Sequence, residues 1–133
     1  MEIRIYYEDT DCGGVVYYAN YLKYFERART DYLEQHGLSV AQLMKEGTVF
    51  MVVHAEIDYK SPARYGETLT IETTLDTSKN ASFTFVHTIR EKMSGRVIVE
   101  GSATLVPTGS DGKLKRLAAE LKQALLTPSK GER

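Results

Sequence analysis

One long helical pattern followed by several strand patterns limits this chain to few layouts. From about residue 18 to residue 36, apolar and aromatic side chains recur at helical spacing, and Gly37 then supplies a left-handed stop. A short strand is expected before the helix, from Ile3 to Tyr7, as an edge strand. Strand-like alternation follows the helix in four stretches, 53–60, 69–76, 81–91 and 97–105. An antiparallel sheet of about five strands with one long helix predicts the α+β class.

Shorter elements complete the pattern. Residues 39–46 predict a second helix with Ser39 as its N-cap. Gly101 and the nearby Ala103 are small, which favours the close approach of another backbone or a helix to that strand. A C-terminal amphipathic helix is predicted from four regularly spaced leucines, Leu114, Leu117, Leu121 and Leu125. We expect a single domain over residues 1–127 and a flexible tail over residues 128–133.

Composition excludes several classes of function. The 133 residues carry a net charge of −1, so neither a nucleic-acid groove nor a membrane-binding face is indicated. The single cysteine, Cys12, excludes an internal disulfide and fits a reducing compartment. No stretch is long and apolar enough to span a bilayer. His36, His54 and His87 lack metal-ligand spacing, so no metal is expected. These features predict a cytoplasmic protein without membrane insertion or a nucleic-acid partner.

Residues 6–21, YYEDTDCGGVVYYANY, hold the strongest functional signal. Acidic side chains precede two glycines, and the long helix begins directly after them. The first backbone N–H groups of a helix have no intrahelical partner, and their partial positive charge suits an anion or a developing oxyanion. A carboxylate beside such amides fits hydrolysis of an acyl group. The alternative interpretation is ordinary turn and cap chemistry, in which the acidic residues only stabilise the loop.

This stretch also resembles a known family signature. The match is carried by Tyr6-Tyr7-Glu8-Asp9-Thr10-Asp11, Gly14-Val15-Val16-Tyr17, Ala19-Asn20-Tyr21 and Glu26-Arg27-Ala28-Arg29. The chain resembles the hotdog-fold acyl-CoA thioesterases of the 4-hydroxybenzoyl-CoA thioesterase family, and among them the YbgC-like (Tol-Pal-associated) branch. The resemblance implies a hotdog fold, in which the sheet wraps around the central helix. It also implies a homo-oligomer, a dimer or a tetramer, that covers the exposed sheet edge.

The resemblance implies a site as well. The catalytic carboxylate falls on Asp11, which would act as general base or as nucleophile on the thioester of an acyl-CoA. The backbone N–H of Tyr18 would hold the thioester oxygen; many YbgC-like members carry His at this position. Coenzyme A would enter as part of the substrate, so no separate cofactor is expected. The implied substrate-binding residues are Tyr7, Val16, Lys60, Ser61, Arg64 and Arg90.

Several alternatives remain open at this stage. Asp9 competes with Asp11 for the catalytic role, and Glu26 offers a carboxylate on the helix. Cys12 is interpreted as a small turn residue, because no histidine neighbours it in sequence. The acyl group could be short, of medium length or aromatic. The chain could instead be a hotdog dehydratase or hydratase, although no matching histidine pattern is visible, or a non-catalytic acyl-thioester binding subunit, although Asp11 is present.

Overall fold

The computed structural model describes residues 1–76 and 82–115 together with residues 123 and 125. Up to residue 115 the chain forms five β-strands, two α-helices and one short 3-10 helix, and residues 123 and 125 are also helical. In chain order the elements are β1 (Glu2–Arg4), the 3-10 helix (Tyr7–Asp9), α1 (Asn20–Gln35), α2 (Val40–Lys45), β2 (Val49–Tyr59), β3 (Thr68–Asp76), β4 (Phe83–Glu91) and β5 (Val97–Thr108).

All five strands join one antiparallel sheet in the order β1-β3-β4-β5-β2. The helix α1 packs against one face of this sheet, which confirms the predicted α+β class and the five-stranded sheet. Alternate residues of β4 turn towards the helix, so that Phe83, Phe85, His87 and Ile89 are all buried as expected. The strands β1 and β2 form the two edges.

The core has two parts along α1. The part near the start of the helix packs Tyr24 and Phe25 against Leu69, Ile89 and Val99 of the sheet. The part near the end of the helix is formed by Leu33, Phe83, Phe85, Leu105 and Leu125. Because both parts lie on the same face of the sheet, α1 is fixed along its whole length.

The ends of the helices follow their local sequence. α1 ends at Gln35, and Gly37 then adopts φ +80°, a conformation that glycine reaches without steric cost. The Ser39 hydroxyl accepts a hydrogen bond from the backbone N–H of Gln42 at 3.2 Å, which confirms Ser39 as the N-cap of α2. The start of α1 differs from the prediction: the helix begins at Asn20, two residues after Tyr18.

The prediction of a strand from Ile3 to Tyr7 is wrong at its end. β1 stops at Arg4, although Ile5 remains buried, and a 3-10 helix begins at Tyr7. The Asp9 carboxylate accepts a hydrogen bond from the backbone N–H of Tyr6 at 2.9 Å, and this local bond replaces strand pairing. Tyr7 is consequently 76% exposed, so it is not a core residue.

β2 also departs from its predicted pattern. It begins at Val49 rather than Val53, and its pairing with β5 shifts between Val52 and His54, which marks a bulge at Val53. Most of its side chains are exposed in spite of the apolar alternation, because β2 is an edge strand; Phe50 and Ile57 are the partly buried side chains that pack against the core.

The predicted C-terminal helix does not begin at Leu114, because Leu114 forms an isolated bridge with Thr108 and is 75% exposed. Leu125 is buried, as the prediction requires. Leu117, Leu121 and the predicted tail, residues 128–133, lie outside the described residues. The domain boundary at residue 127 therefore stays a prediction.

Candidate active site

Residues 10–16 form a small hairpin ahead of α1. Thr10 bridges to Val16, and the backbone N–H of Asp11 donates to the carbonyl oxygen of Val15 at 2.9 Å. The backbone N–H of Gly14 donates back to the carbonyl oxygen of Asp11 at 3.1 Å, with Gly14 at φ +78°. A turn this tight requires a positive φ, so glycine is the residue expected at this position.

The hairpin is attached to the chain that follows β2. The backbone N–H of Val16 donates to the carbonyl oxygen of Ala63 at 2.8 Å, and that of Tyr65 donates to the carbonyl oxygen of Gly14 at 3.3 Å. Val15 also bridges to Arg64. These bonds join the hairpin to residues 63–65, which are distant in sequence.

An open cleft of about 360 Å³ lies where these two segments meet the start of α1. Four of the predicted site residues line it, Val16, Tyr18, Lys60 and Ser61. The other lining residues are Tyr21, Tyr59 and Pro62. The structure therefore brings together selected residues from two stretches that are distant in sequence, 16–18 and 60–61. Aromatic rings and aliphatic stems form most of the wall, and Lys60 contributes a cation.

Asp11 lies at the tip of the hairpin and is exposed. Its Oδ1 atom accepts a hydrogen bond from the backbone N–H of Gly13 at 2.8 Å. In the described part of the chain no donor is within hydrogen-bond distance of Oδ2, so this oxygen is available to a water molecule or a substrate. The carboxylate is not itself part of the cleft wall. Turn capping and a chemical role are compatible here, because each uses a different oxygen.

The backbone N–H groups of Tyr18 and Ala19 have no acceptor among the described residues, whereas those of Tyr17 and Asn20 on either side are bonded. The N–H of Tyr17 donates to the carbonyl oxygen of Asp9 at 3.0 Å, and that of Asn20 donates to the carbonyl oxygen of Tyr17 at 2.9 Å. The Tyr59 hydroxyl donates to the carbonyl oxygen of Tyr18 at 3.3 Å. Tyr18 therefore presents a free amide, next to that of Ala19, in a segment that is held by hydrogen bonds on both sides.

The remaining predicted residues lie outside the cleft wall. The ring of Tyr7 packs edge-on against that of Tyr65, with 5.8 Å between ring centroids. Arg64 follows the cleft segment and is exposed. Arg90 lies on β4, where its Nε atom is 3.9 Å from a Glu72 carboxylate oxygen. Tyr7 and Arg64 thus border the hairpin, while Arg90 is held on the sheet.

Sequence reasoning missed the residues that support the cleft. The Tyr21 hydroxyl, almost fully buried, accepts a hydrogen bond from the backbone N–H of Ala63 at 3.3 Å, and burial raises the pKa of Tyr21. The Arg96 guanidinium donates to the carbonyl oxygen of Pro62 at 2.9 Å and to the Glu67 carboxylate at 2.8 Å. Arg96 follows a Ser-Gly turn, far in sequence from Pro62 and Glu67, so the sequence gave no indication of these partners.

The alternative catalytic candidates are occupied or isolated. The Asp9 carboxylate is engaged by the backbone N–H of Tyr6, and Glu26 is exposed on α1. Cys12 is a free, exposed thiol. In the described ranges no three histidine, cysteine or acidic side chains are arranged to hold a metal ion.

Comparison with known proteins places this geometry in context. A sequence model of the thioesterase-like superfamily matches residues 6–126. The acyl-CoA thioester hydrolase YbgC of Escherichia coli O6:H1 is 42% identical over 87 residues, a match that covers 65% of this chain and 65% of that relative, just under two thirds. The acyl-CoA thioesterase YbgC of Haemophilus influenzae is 37% identical over 118 residues, covering 87% of this chain and 84% of the relative.

A solved structure is also similar over most of its length. The DHNA-CoA thioesterase from Staphylococcus aureus superposes with a TM-score of 0.88 at 29% identity, covering 93% of this chain and 85% of that one. Among the described residues, no helix has the length and apolar character needed to cross a membrane.

Proposed function

This chain belongs to the thioesterase-like superfamily and has the hotdog fold, and from that premise we propose that it hydrolyses the thioester of an acyl-CoA to a free acid and coenzyme A. One observation carries the proposal: a free amide, that of Tyr18, stands at a cleft beside the hairpin that presents the Asp11 carboxylate. Relatives that carry the name acyl-CoA thioesterase support the choice of substrate class.

The proposed reaction uses these two groups together. The thioester carbonyl oxygen accepts a hydrogen bond from the Tyr18 N–H, which stabilises the negative charge that develops during attack. Asp11 either removes a proton from an attacking water or attacks the carbonyl carbon itself. The carbon–sulfur bond then breaks, and coenzyme A leaves as a thiolate that takes up a proton. Where Asp11 attacks first, water hydrolyses the resulting anhydride and regenerates the carboxylate.

Substrate binding follows from the composition of the cleft. Val16 and the tyrosine rings offer an apolar surface for the acyl group. Lys60 and Arg64 supply cations beside it for the phosphates of coenzyme A, and the Ser61 hydroxyl already donates to the carbonyl oxygen of Val97 at 2.7 Å. Tyr7 adds an exposed ring at the border. Arg90 contributes only if the nucleotide end extends over the sheet.

We propose a homodimer, able to pair again into a tetramer, as the working assembly. β2 is an edge strand of 11 residues, and only β5 pairs with it in the described structure. Several large apolar side chains on it are exposed, namely Val49, Met51, Val52, Val53 and Tyr59. A second copy aligned along this edge would cover these side chains and pair the open backbone groups.

The free thiol of Cys12 supports a cytoplasmic location.

The test is release of free thiol from a panel of acyl-CoAs. Replacement Asp11→Asn should lower kcat/KM by about a hundred- to ten-thousand-fold. Asp111→Asn is the matched control, because the Asp111 carboxylate caps an equivalent turn by accepting from the backbone N–H of Lys113 at 3.0 Å, away from the cleft. It should leave activity unchanged.

The other outcomes are informative. Equal activity in wild type and Asp11→Asn would refute the catalytic assignment and redirect it to Asp9 or Glu26. If acyl-CoA binds but no thiol is released, the chain is a binding subunit rather than a hydrolase.

A further inference from the structure

The two groups that the proposed reaction needs lie on separate segments, so something must hold them in register. Asp11 is on the hairpin, while Tyr18 immediately precedes α1. A misplacement of about 1 Å between reacting groups can cost about a hundredfold in rate. The bonds that connect the 3-10 helix ahead of the hairpin with the start of α1 therefore determine how well the site is formed.

Two hydrogen bonds make this connection, and the same oxygen atom accepts both of them. The carbonyl oxygen of Asp9 accepts from the backbone N–H of Tyr17 at 3.0 Å and from the side-chain Nδ2 of Asn20, also at 3.0 Å. Asp9 lies two residues before Asp11, and the two donors flank Tyr18 on either side. A carbonyl oxygen has two lone pairs, and both are used here.

Asn20 makes a second hydrogen bond at the start of α1. Its own backbone N–H donates to the carbonyl oxygen of Tyr17 at 2.9 Å, so one residue closes the turn that contains Tyr18 and also attaches that turn to Asp9. Asn20 is the first residue of α1 and is half-buried. It is not among the residues that line the cleft, so its effect must pass through its neighbours.

We propose that Asn20 is a positioning residue, whose carboxamide ties the start of α1 to the Asp9 carbonyl and so sets the Tyr18 N–H relative to the Asp11 carboxylate. The catalytic part of this proposal rests on the thioesterase function proposed above. The geometric part does not, because it concerns only how the loop is held.

Two substitutions test it. Asn20→Ala removes the carboxamide, whereas Asn20→Asp keeps its shape but places a carboxylate oxygen against the Asp9 carbonyl, where it cannot donate. We expect each variant to lower kcat by about ten- to a hundredfold while the KM for acyl-CoA changes by less than about twofold. A general loss of folded protein would instead lower the active fraction and the melting temperature together.

A second measurement reports on the geometry alone. Amide hydrogen exchange at Tyr17 should accelerate by about tenfold or more in both variants, because its acceptor carbonyl is no longer held in place. Gln35→Ala is the matched control: it removes a 2.7 Å side-chain bond to Asp31 at the other end of α1 and should change neither kcat nor exchange at Tyr17.

The outcomes separate the two proposals. Reduced kcat with faster Tyr17 exchange, in both Asn20 variants and not in Gln35→Ala, supports the positioning role. Unchanged exchange, or unchanged kcat in an active enzyme, overturns it. A wild-type protein that releases no thiol from any acyl-CoA refutes the proposed function instead, and exchange at Tyr17 then decides the geometric proposal by itself.

Discussion

Gly101 lies directly against the ring of Phe25: a Cβ atom on Gly101 would come within 2.6 Å of Phe25 Cε2 and 2.8 Å of its Cζ. The same Cβ would also stand 2.6 Å from the carbonyl oxygen of Glu56 on β2. Glycine on β5 therefore sets the distance between α1 and the sheet, as the small residues in this strand predicted.

Gly101→Ala should consequently lower the free energy of unfolding by about 1 to 3 kcal/mol, since overpacking a dense core forces neighbours to shift. Denaturant titration followed by circular dichroism measures the change. Ser102→Ala, at the next position and on the other face, should have a small effect. In a double-mutant cycle, Phe25→Leu should reduce the cost of Gly101→Ala; simple additivity would refute the contact as the cause.

Two tyrosines one helical turn apart should respond differently to loss of the hydroxyl. Tyr21 and Tyr24 are 3% and 1% exposed, but of the two hydroxyls only that of Tyr21 has a hydrogen-bond partner among the described residues, the N–H of Ala63. Burial, and then the negative charge of the nearby Asp9, raise the pKa of Tyr24, while its hydroxyl makes no hydrogen bond of good geometry within the described part of the chain.

Tyr21→Phe should therefore destabilise the protein by about 1 to 3 kcal/mol, because the buried N–H of Ala63 loses its acceptor. Tyr24→Phe should be close to neutral or slightly stabilising. Thermal melts of the two variants side by side check this, and the reverse order would contradict the assignment of the two hydroxyls.

His87 should make stability sensitive to acid. Its ring is fully buried and stacked on Phe25, and Nδ1 lies 3.0 Å from the Thr73 hydroxyl. Burial, and then the charge of Arg29, lower the pKa of His87 from 6.5 to about 4. The folded state therefore holds His87 neutral, while the unfolded state protonates it below pH 6.5.

The stability associated with neutral His87 is present above pH 6.5 and is lost as the pH falls towards about 4, by about 3 kcal/mol in all. Unfolding free energies measured between pH 7 and pH 4.5 should decline, and the decline should shrink in His87→Gln. His54→Gln, which removes an exposed histidine on β2, should leave the slope unchanged. An identical slope in wild type and His87→Gln would contradict the prediction.

Substitutions at Arg96 and Lys92 test which of two ion pairs contributes to stability and to substrate binding. Arg96 is partly buried and connects the Pro62 carbonyl of the cleft wall to the Glu67 carboxylate, whereas Lys92 pairs with Glu2 at 2.5 Å on the surface. We expect Arg96→Ala to lower stability by about 1 to 3 kcal/mol and to raise the KM for acyl-CoA, because the segment that it holds lines the cleft. Lys92→Ala should cost less than about 1 kcal/mol. If Arg96→Ala and Lys92→Ala had the same effect on stability and the same effect on KM, the Arg96 contacts would not be important for the cleft.

Local pattern predicted most of the fold. α1, β3 and β5 have clear periodicity, and the stop at Gly37 and the cap at Ser39 depend on neighbouring residues alone. The early end of β1 was not predicted, because the strand propensity of Tyr6-Tyr7 was overridden by a hydrogen bond to Asp9. Nothing in the local alternation of β2 indicates that its register with β5 shifts at Val53.

The candidate site likewise has residues that the sequence predicted and residues that it did not. The family signature pointed to Val16 and Tyr18, and the position of Lys60-Ser61 at a strand end placed them on the cleft. Tyr21 and Arg96 were missed because their bonds reach residues 42 and 34 positions away, and no single sequence records such partners. A family signature identifies the residues that act, whereas long-range contacts identify the residues that support them.

The strand order has a consequence for biosynthesis. β2 is complete at Tyr59, but its neighbour in the sheet, β5, begins only at Val97. At ordinary rates of synthesis β2 therefore emerges from the ribosome seconds before its partner exists, with its backbone unpaired and its valines in water. Nascent chains of this protein should thus be substrates for ribosome-associated chaperones during the interval between Tyr59 and Thr108, and stalled chains that end before β5 should aggregate more readily than those that include it.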